Sequence, residues 1–335
     1  MNIYTNASFL MKTVVILCFI FVIAVVYFVG ISVVLGNTPS LDRILIDGLI
    51  ADDQLGNSVD IDESDAVIGS FLDDNASLTN SGAVYAVNID PTTGAWTSYV
   101  KLMSPEQSSG DYFGGSVAID SGVIFVGAHG DDYLSKIDSG SVFTFRKNKD
   151  TWDYESKIMA NDSSATDLFG YSVTADGGYL VVGAPRDDDK GKDSGSAYIF
   201  RFNGTAWIQE AKLVASDGGI EDGFGTSVDI DNGRIIVGSK HNTHSGKINV
   251  GAAYVFRLVS GVWTQEAKLT NGDLGKQYDY FGTDVSIDDE RIVVTAQGFD
   301  LNETVVNVGA VYSFTLNNGE SVSYTHLTLP PSDLV

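Results

Sequence analysis

The chain has 335 residues and a formal charge of −24, with 36 glycines against 6 prolines. That acidity excludes nucleic acid as a partner, because phosphates demand a basic face, and it disfavours docking of the folded part on anionic lipid. The single cysteine, Cys18, falls inside an apolar stretch, so the rest of the sequence holds no disulfide, thiolate nucleophile or cysteine metal site.

Residues 1–12 read as a short N-terminal tail. Residues 13–35, TVVILCFIFVIAVVYFVGISVVL, carry no charged side chain. As a helix they span roughly 34 Å, enough to cross a hydrocarbon core of about 30 Å. The core of a signal peptide is shorter, about 7–15 residues. A transmembrane signal-anchor is the expectation, with a cleaved signal peptide as the alternative. Lys12 precedes the span and NTPSLDR follows it, which places the N-terminus inside and the remainder outside the cytoplasm. Under either reading the remainder is exported, anchored through residues 13–35 or secreted.

Residues 36–320 are built from five copies of one unit. Phe113-Gly114, Phe169-Gly170, Phe224-Gly225 and Phe281-Gly282 stand 56, 55 and 57 residues apart, and Leu55-Gly56 precedes the first of them by 58. Fourteen residues after each comes Gly-Ala or a relative: Gly69-Ser70, Gly127-Ala128, Gly183-Ala184, Gly238-Ser239 and Thr295-Ala296. A Gly-small-small-aromatic run follows, ending at Tyr85, Phe143, Tyr198, Tyr254 and Tyr312. Four copies add a tryptophan (Trp96, Trp152, Trp207, Trp263) five residues before a lysine (Lys101, Lys157, Lys212, Lys268). The copies occupy about 49–109, 110–165, 166–220, 221–277 and 278–320.

Each copy predicts four strands. In the third, YSVTA, YLVVGA, GSAYIFRF and WIQEAKLV are separated by Gly- and Asn-rich turns. The middle two are apolar on both faces and therefore buried. The last alternates Trp207, Ala211 and Leu213 with Glu210 and Lys212, as a half-exposed outer strand does. Such a sheet is a propeller blade, and the array is an all-β propeller. Residues 42–50 (DRILIDGLI) align with the end of a fourth strand, so the N-terminal segment is expected to contribute an outer strand to ring closure. Residues 321–335 match no earlier copy and read as an atypical tail.

Phe-Gly followed by Gly-Ala-Pro, complete at Gly183-Ala184-Pro185, resembles the FG-GAP repeat family, whose best-known members form the head of integrin α subunits. The resemblance covers roughly 41–320 and implies a β-propeller and an adhesion or binding role. The integrin-like relatives have seven blades, so a truncated seven-blade propeller is the alternative to a ring of the five visible here. In those relatives calcium sits in a DxDxDG-type loop between the Phe-Gly and Gly-Ala strands. Here that interval holds only short turns such as Asp120-Ser121-Gly122 and Asp231-Asn232-Gly233, which read as hairpin turns, so the family's calcium site does not carry over to them.

A different acidic cluster follows the Gly-Ala pair: Asp73 and Asp74, then Asp131, Asp132 and Asp138, then Asp187, Asp188, Asp189 and Asp193. Several carboxylates on one loop suit a hard cation such as Ca2+. The plainer reading is a solvated loop whose Asp-Ser-Gly end makes a turn. One more aspartate precedes every Phe-Gly or Leu-Gly pair by two residues (Asp53, Asp111, Asp167, Asp222, Asp279), which suggests a structural hydrogen bond to backbone amides. Asn75, Asn161, Asn203 and Asn302 begin glycosylation sequons. No nucleophile elbow, phosphate loop or zinc motif is present, and His129, His241, His244 and His326 share no spacing. The expected function is therefore an extracellular binding or adhesion module for a protein or glycan partner, not an enzyme. A channel or loop-face catalytic site, or a structural part of a larger surface protein, is the alternative.

Overall fold

The computed structural model describes residue 46 and residues 49–302, 304–317 and 321–327, with residues 317 and 321–327 described by backbone alone. Twenty strands form five four-stranded antiparallel sheets, each ordered as the chain runs. Blade one comprises β1 (Val59–Asp62), β2 (Asp65–Ser70), β3 (Ala83–Ile89) and β4 (Trp96–Leu102). Blade two comprises β5 (Ser116–Asp120), β6 (Val123–Ala128), β7 (Ser141–Asn148) and β8 (Thr151–Ile158). Blade three holds β9 (Ser172–Asp176), β10 (Tyr179–Ala184), β11 (Ser196–Phe202) and β12 (Trp207–Leu213). Blade four holds β13 (Phe224–Asp231), β14 (Arg234–Ser239), β15 (Ala252–Val259) and β16 (Val262–Leu269). Blade five holds β17 (Phe281–Asp288), β18 (Arg291–Ala296), β19 (Ala310–Asn317) and β20 (Ser321–Leu327).

The first strands of successive blades pack on one another, β1 on β5, β5 on β9, β9 on β13 and β13 on β17, so they line the inside of the array. Their turns into the second strands are two-residue loops; both φ angles are positive in blades two, three and four, as at Ser121-Gly122 and Asn232-Gly233, and the first alone, at Glu63 and Asp289, in blades one and five. Positive φ at both positions is the turn geometry that matches strand twist, and Gly and Asn adopt it at little cost. Middle strands are buried on both faces: every residue of β6 is buried, and β10 is buried from Leu180 to Ala184. Of the outer strands, β4 is exposed except at Leu102, and β12 alternates exposed with half-buried residues before the buried Leu213. Their hairpins vary in length. Six residues separate β3 from β4, four separate β11 from β12, and two separate β7 from β8 and β15 from β16.

The Phe-Gly pair is the hinge-pin of each junction. Phe113, Phe169, Phe224 and Phe281 are fully buried, each edge-on to two aromatic rings of its own blade: Phe169, for example, lies 5.4 Å from Tyr198 and 5.9 Å from Phe200. Burying one such ring stabilises by roughly 1.5–3 kcal/mol. Each also forms an isolated parallel bridge to the preceding blade: Gly82 to Phe113, Gly140 to Phe169, Gly195 to Phe224 and Gly251 to Phe281. Glycine is required at Gly183 because a Cβ there would run into the carbonyl oxygen of Gly225 from the next blade. Gly127 meets Gly170 and Gly238 meets Gly282 in the same way. In blade five Thr295 stands at this place, and no described blade packs on its far side.

At the N-terminal side, Ile46 is buried against Ala83 and Tyr85 together with Leu49 and Leu55. It occupies the place that Ala160 and Ala215 take nine residues before Phe169 and Phe224. The alignment of residues 42–50 with a fourth-strand end is thus visible at Ile46, while the expected strand itself lies outside the described residues. Among the described residues no substantial packing joins blade one to blade five. Blade five acquires its fourth strand from Ser321–Leu327, in register from Asn317 opposite Ser321 to Val311 opposite Leu327. The repeat pattern stops short of this strand because a backbone ladder needs neither the tryptophan nor the lysine that marked the other copies. Residues 13–35 lie outside the described residues, and among the described ones no helix is long and apolar enough to cross a membrane.

Candidate functional site

The acidic loops after the Gly-Ala pairs share one construction. Asp74, Asp132 and Asp188 each accept the backbone N–H of the residue that closes the loop, Asn80, Asp138 and Asp193 respectively, at 2.8 Å. Thr243 accepts from Asn249 and Asp300 from Asn307 in the later copies. The closing residue has a φ near +52° in every copy, from +51° at Asp138 to +53° at Asp193. Asn and Asp tolerate this left-handed conformation better than other side chains.

The preceding aspartate in the loop turns inward. Asp73, Asp131 and Asp187 are buried, and each receives the ammonium of the lysine on its own blade's fourth strand. The lysines lie opposite the aromatic of the third strand, Tyr85 with Lys101, Phe143 with Lys157, Tyr198 with Lys212 and Tyr254 with Lys268. Each ammonium sits over that ring, from 5.1 Å at Tyr198 to 5.8 Å at Tyr85, adding a cation–π attraction. Tyr198 also donates its hydroxyl hydrogen to Asp187 at 2.8 Å. Blade four places Asn242 at the loop position and draws its acid from Asp217, 2.6 Å from Lys268. In blade five His326 takes the lysine register opposite Tyr312.

Of the calcium candidates, Asp187 and Asp189 come together with Asp162, whose ligand atoms fall within 4.8 Å of one another. Lys212 Nζ lies among them, 2.9 Å from Asp187, 2.7 Å from Asp189 and 2.8 Å from Asp162. Burial works against that ammonium's charge, but the three carboxylates outweigh it and hold its pKa above the ordinary lysine value. Asp188 accepts the Asp193 backbone N–H in the loop closure, and the Asp193 carboxylate lies 3.6 Å from Lys192. Asp131 binds Lys157 while Asp132 and Asp138 share a closure bond. The cation that these carboxylates hold in this structure is a lysine.

The five aspartates before Phe-Gly and Leu-Gly each accept the backbone N–H three residues earlier: Ile50 to Asp53, Ser108 to Asp111, Ser164 to Asp167, Gly219 to Asp222 and Lys276 to Asp279, at 2.6–2.8 Å. They cap the turn that enters each blade, as the repeated spacing suggests. Burial pushes Asp111 and Asp167 up to about 6, against the pull of those N–H donors.

One feature escapes the repeat pattern. At the end of the second strands, a cavity of about 380 Å³ opens between blades three and four. Leu168, Tyr171 and Pro185 give it an apolar wall, Arg186, Lys240 and His241 approach as cations or donors, and Glu221 and Asp193 stand with them. Neither Arg186 nor Lys240 forms an ion pair with a described residue. Burial, then the nearby Lys240 charge, lowers the His241 pKa. Aromatic side chains continue along the same end. Tyr112 stacks on His129 at 5.0 Å, His129 lies 5.4 Å from Tyr171, and His241 lies 5.5 Å from Tyr280. Burial, then the Arg186 charge, brings the His129 pKa down to about 4, so its imidazole is neutral at physiological pH. The signal that locates this site is positional: His129, Arg186, Lys240 and His241 all stand one or two residues beyond the Gly-Ala or Gly-Ser pair of their copies.

No curated protein matches the chain. The FG-GAP repeat model matches residues 47–87, 96–145, 152–200, 207–256 and 263–314, the last four each running from the fourth strand of one blade into the third strand of the next, and the chain therefore belongs to the FG-GAP repeat family.

Proposed function

We propose that this protein is a membrane-tethered extracellular binding module whose ligand, a protein or a glycan, docks where the loops of neighbouring blades converge. The observation that supports this reading is the cavity between blades three and four, with Tyr171 on its wall and Arg186 and Lys240, which pair with no acid among the described residues, at its side. Binding pockets combine an apolar lining with a few convergent polar groups, and this one is formed by the turns that follow β10 and β14 and precede β9 and β13. The strongly apolar residues 13–35 supply the tether, and their single preceding lysine orients it.

The test has two arms. Resistance of the full chain to alkaline carbonate extraction, with the blades open to external protease in intact cells, is the expected topology. Labelled full chain is then applied to arrays of extracellular proteins and glycans beside the variants Tyr171→Ala and Lys240→Met. Saturable binding lost in both variants supports the module reading, and binding to nothing, or equal binding by all three forms, removes it.

A further inference from the structure

We propose that the cavity between blades three and four takes a single acidic sugar residue of the uronate type, its carboxylate held by Arg186 and Lys240 and its ring laid against Tyr171. This deepens the binding reading above and rests on it.

Size comes first. At about 380 Å³ the cavity lies near the lower end of the roughly 300–1,000 Å³ that hold small ligands, suited to one pyranose ring and too small for a folded peptide element. Charge comes second. In a chain of net charge −24, two cations beside one cavity that have no ion-pair partner among the described residues are a local exception, and a guanidinium offers a carboxylate two parallel donors. The third argument excludes simpler anions. Glu221 and Asp193 stand in the same lining, so a dianionic phosphate or a run of acidic side chains would meet more like charge there than a single carboxylate does. A ligand carrying one carboxylate and several hydroxyls meets both sets at once: acid to Arg186 and Lys240, hydroxyl hydrogens to Glu221. The fourth is shape. Tyr171 stands in the lining with Leu168 and Pro185, and the apolar face of an aromatic ring accepts the C–H face of a sugar ring while the hydroxyl edge stays polar. The aromatic line through His129 and Tyr112 extends from Tyr171 toward blades two and one, so a longer acidic glycan has a path beyond the first residue.

The experiment titrates the full chain, in neutral detergent, with methyl glucuronide, methyl glucoside, acetate and an aspartate-rich peptide, reading heat and ligand-observed NMR. The expected result is saturable binding of the glucuronide. The glucoside should bind at least about tenfold more weakly, as loss of a charge-assisted hydrogen bond implies, and acetate should show none. Lys240→Met and Tyr171→Ala should each weaken the glucuronide about tenfold or more. Arg186 is exposed and Lys240 makes no ion pair with a described residue, so Lys240→Met should keep the melting temperature of the parent, which separates lost binding from lost fold. Equal affinity for glucuronide and glucoside, insensitivity to Lys240→Met, or preference for the peptide would each overturn the proposal. If glucuronide fails while an arrayed ligand still depends on Lys240, the sugar assignment falls and the binding module stands. If nothing depends on Lys240 or Tyr171, both fall together.

Discussion

Lys212 Nζ lies 2.9 Å from Asp187 Oδ2, and both side chains are largely withdrawn from solvent, at 16 % and 6 % exposure. Removing one member of such a pair strands the other charge in a poorly solvated place, which costs about 3–5 kcal/mol. Lys212→Met should therefore lower the unfolding free energy by about 3 kcal/mol. It also frees Asp162, Asp187 and Asp189 to face one another. Millimolar calcium should then raise the melting temperature of the variant by several degrees while leaving the parent unchanged. A parent stabilised by calcium to the same degree would show that the acidic loops bind metal with the lysine in place.

The contact between Gly183 and the Gly225 carbonyl makes a paired prediction. Gly183→Ala puts a methyl group where the next blade already stands, and the blades must part to admit it. Overpacking of this kind costs about 1–3 kcal/mol or more. Gly204→Ala, at φ +95° but with nothing within 4 Å of its new Cβ, should pay only the backbone strain of about 1–2 kcal/mol. Urea unfolding of the two variants checks the order, and a Gly204 variant less stable than the Gly183 variant would refute the junction argument.

Acidity should stabilise this protein over part of the pH range. Asp111 and Asp167 have folded pKa values of about 6, above the unfolded value of about 3.9. The folded state therefore takes up these protons first as pH falls. Their contribution to stability grows from pH 7 down through 6 and levels off below about 4, by about 3 kcal/mol per group at most. In Asp167→Asn the amide oxygen can still accept from Ser164, but nothing titrates. The variant should match the parent near pH 4.5 and exceed it at pH 7.5. An identical pH slope in both would overturn the assignment.

Expression in a eukaryotic secretory host should place a glycan on Asn203 and leave Asn75 bare. Asn203-Gly204-Thr205 lies on an exposed hairpin. The Asn75 side-chain amide donates to Ser81 Oγ at 2.9 Å and to the Gly82 carbonyl at 3.0 Å, and is spent there. Site mapping by mass spectrometry checks this, and the absence of any glycan at Asn203 would count against export of the blades.

Much of the fold was open to sequence reasoning because each junction repeats the same steric demand. Phe113, Phe169, Phe224 and Phe281 must be large, and Gly127, Gly183 and Gly238 must lack a side chain, so spacing alone exposes them. The partnership of Lys212 with Asp187 was not legible, although both residues stand out in the repeat. They lie 25 residues apart and meet only when the fourth strand pairs with the third. Harder still is the cavity: Tyr171 and Lys240 belong to different copies, vary from blade to blade, and are joined only by the angle at which two blades pack. Strand β20 was missed for the opposite reason, since its pairing is a property of backbone rather than of marked side chains.

The outer hairpins carry a separate consequence. Loops of two, four and six residues already coexist there, while the Phe-Gly spacing holds between 55 and 58. Length is policed on the inside of the array, where one blade's carbonyl must land on another's bare glycine, and left unregulated at the rim. Foreign sequence spliced between Asn203 and Ala206 would hang from the exposed hairpin tip, beyond the Phe202 and Trp207 rings that meet Arg146 and Phe125 of blade two. The rim is thus the place where lineages can add epitopes, tags or new contacts without renegotiating the packing beneath.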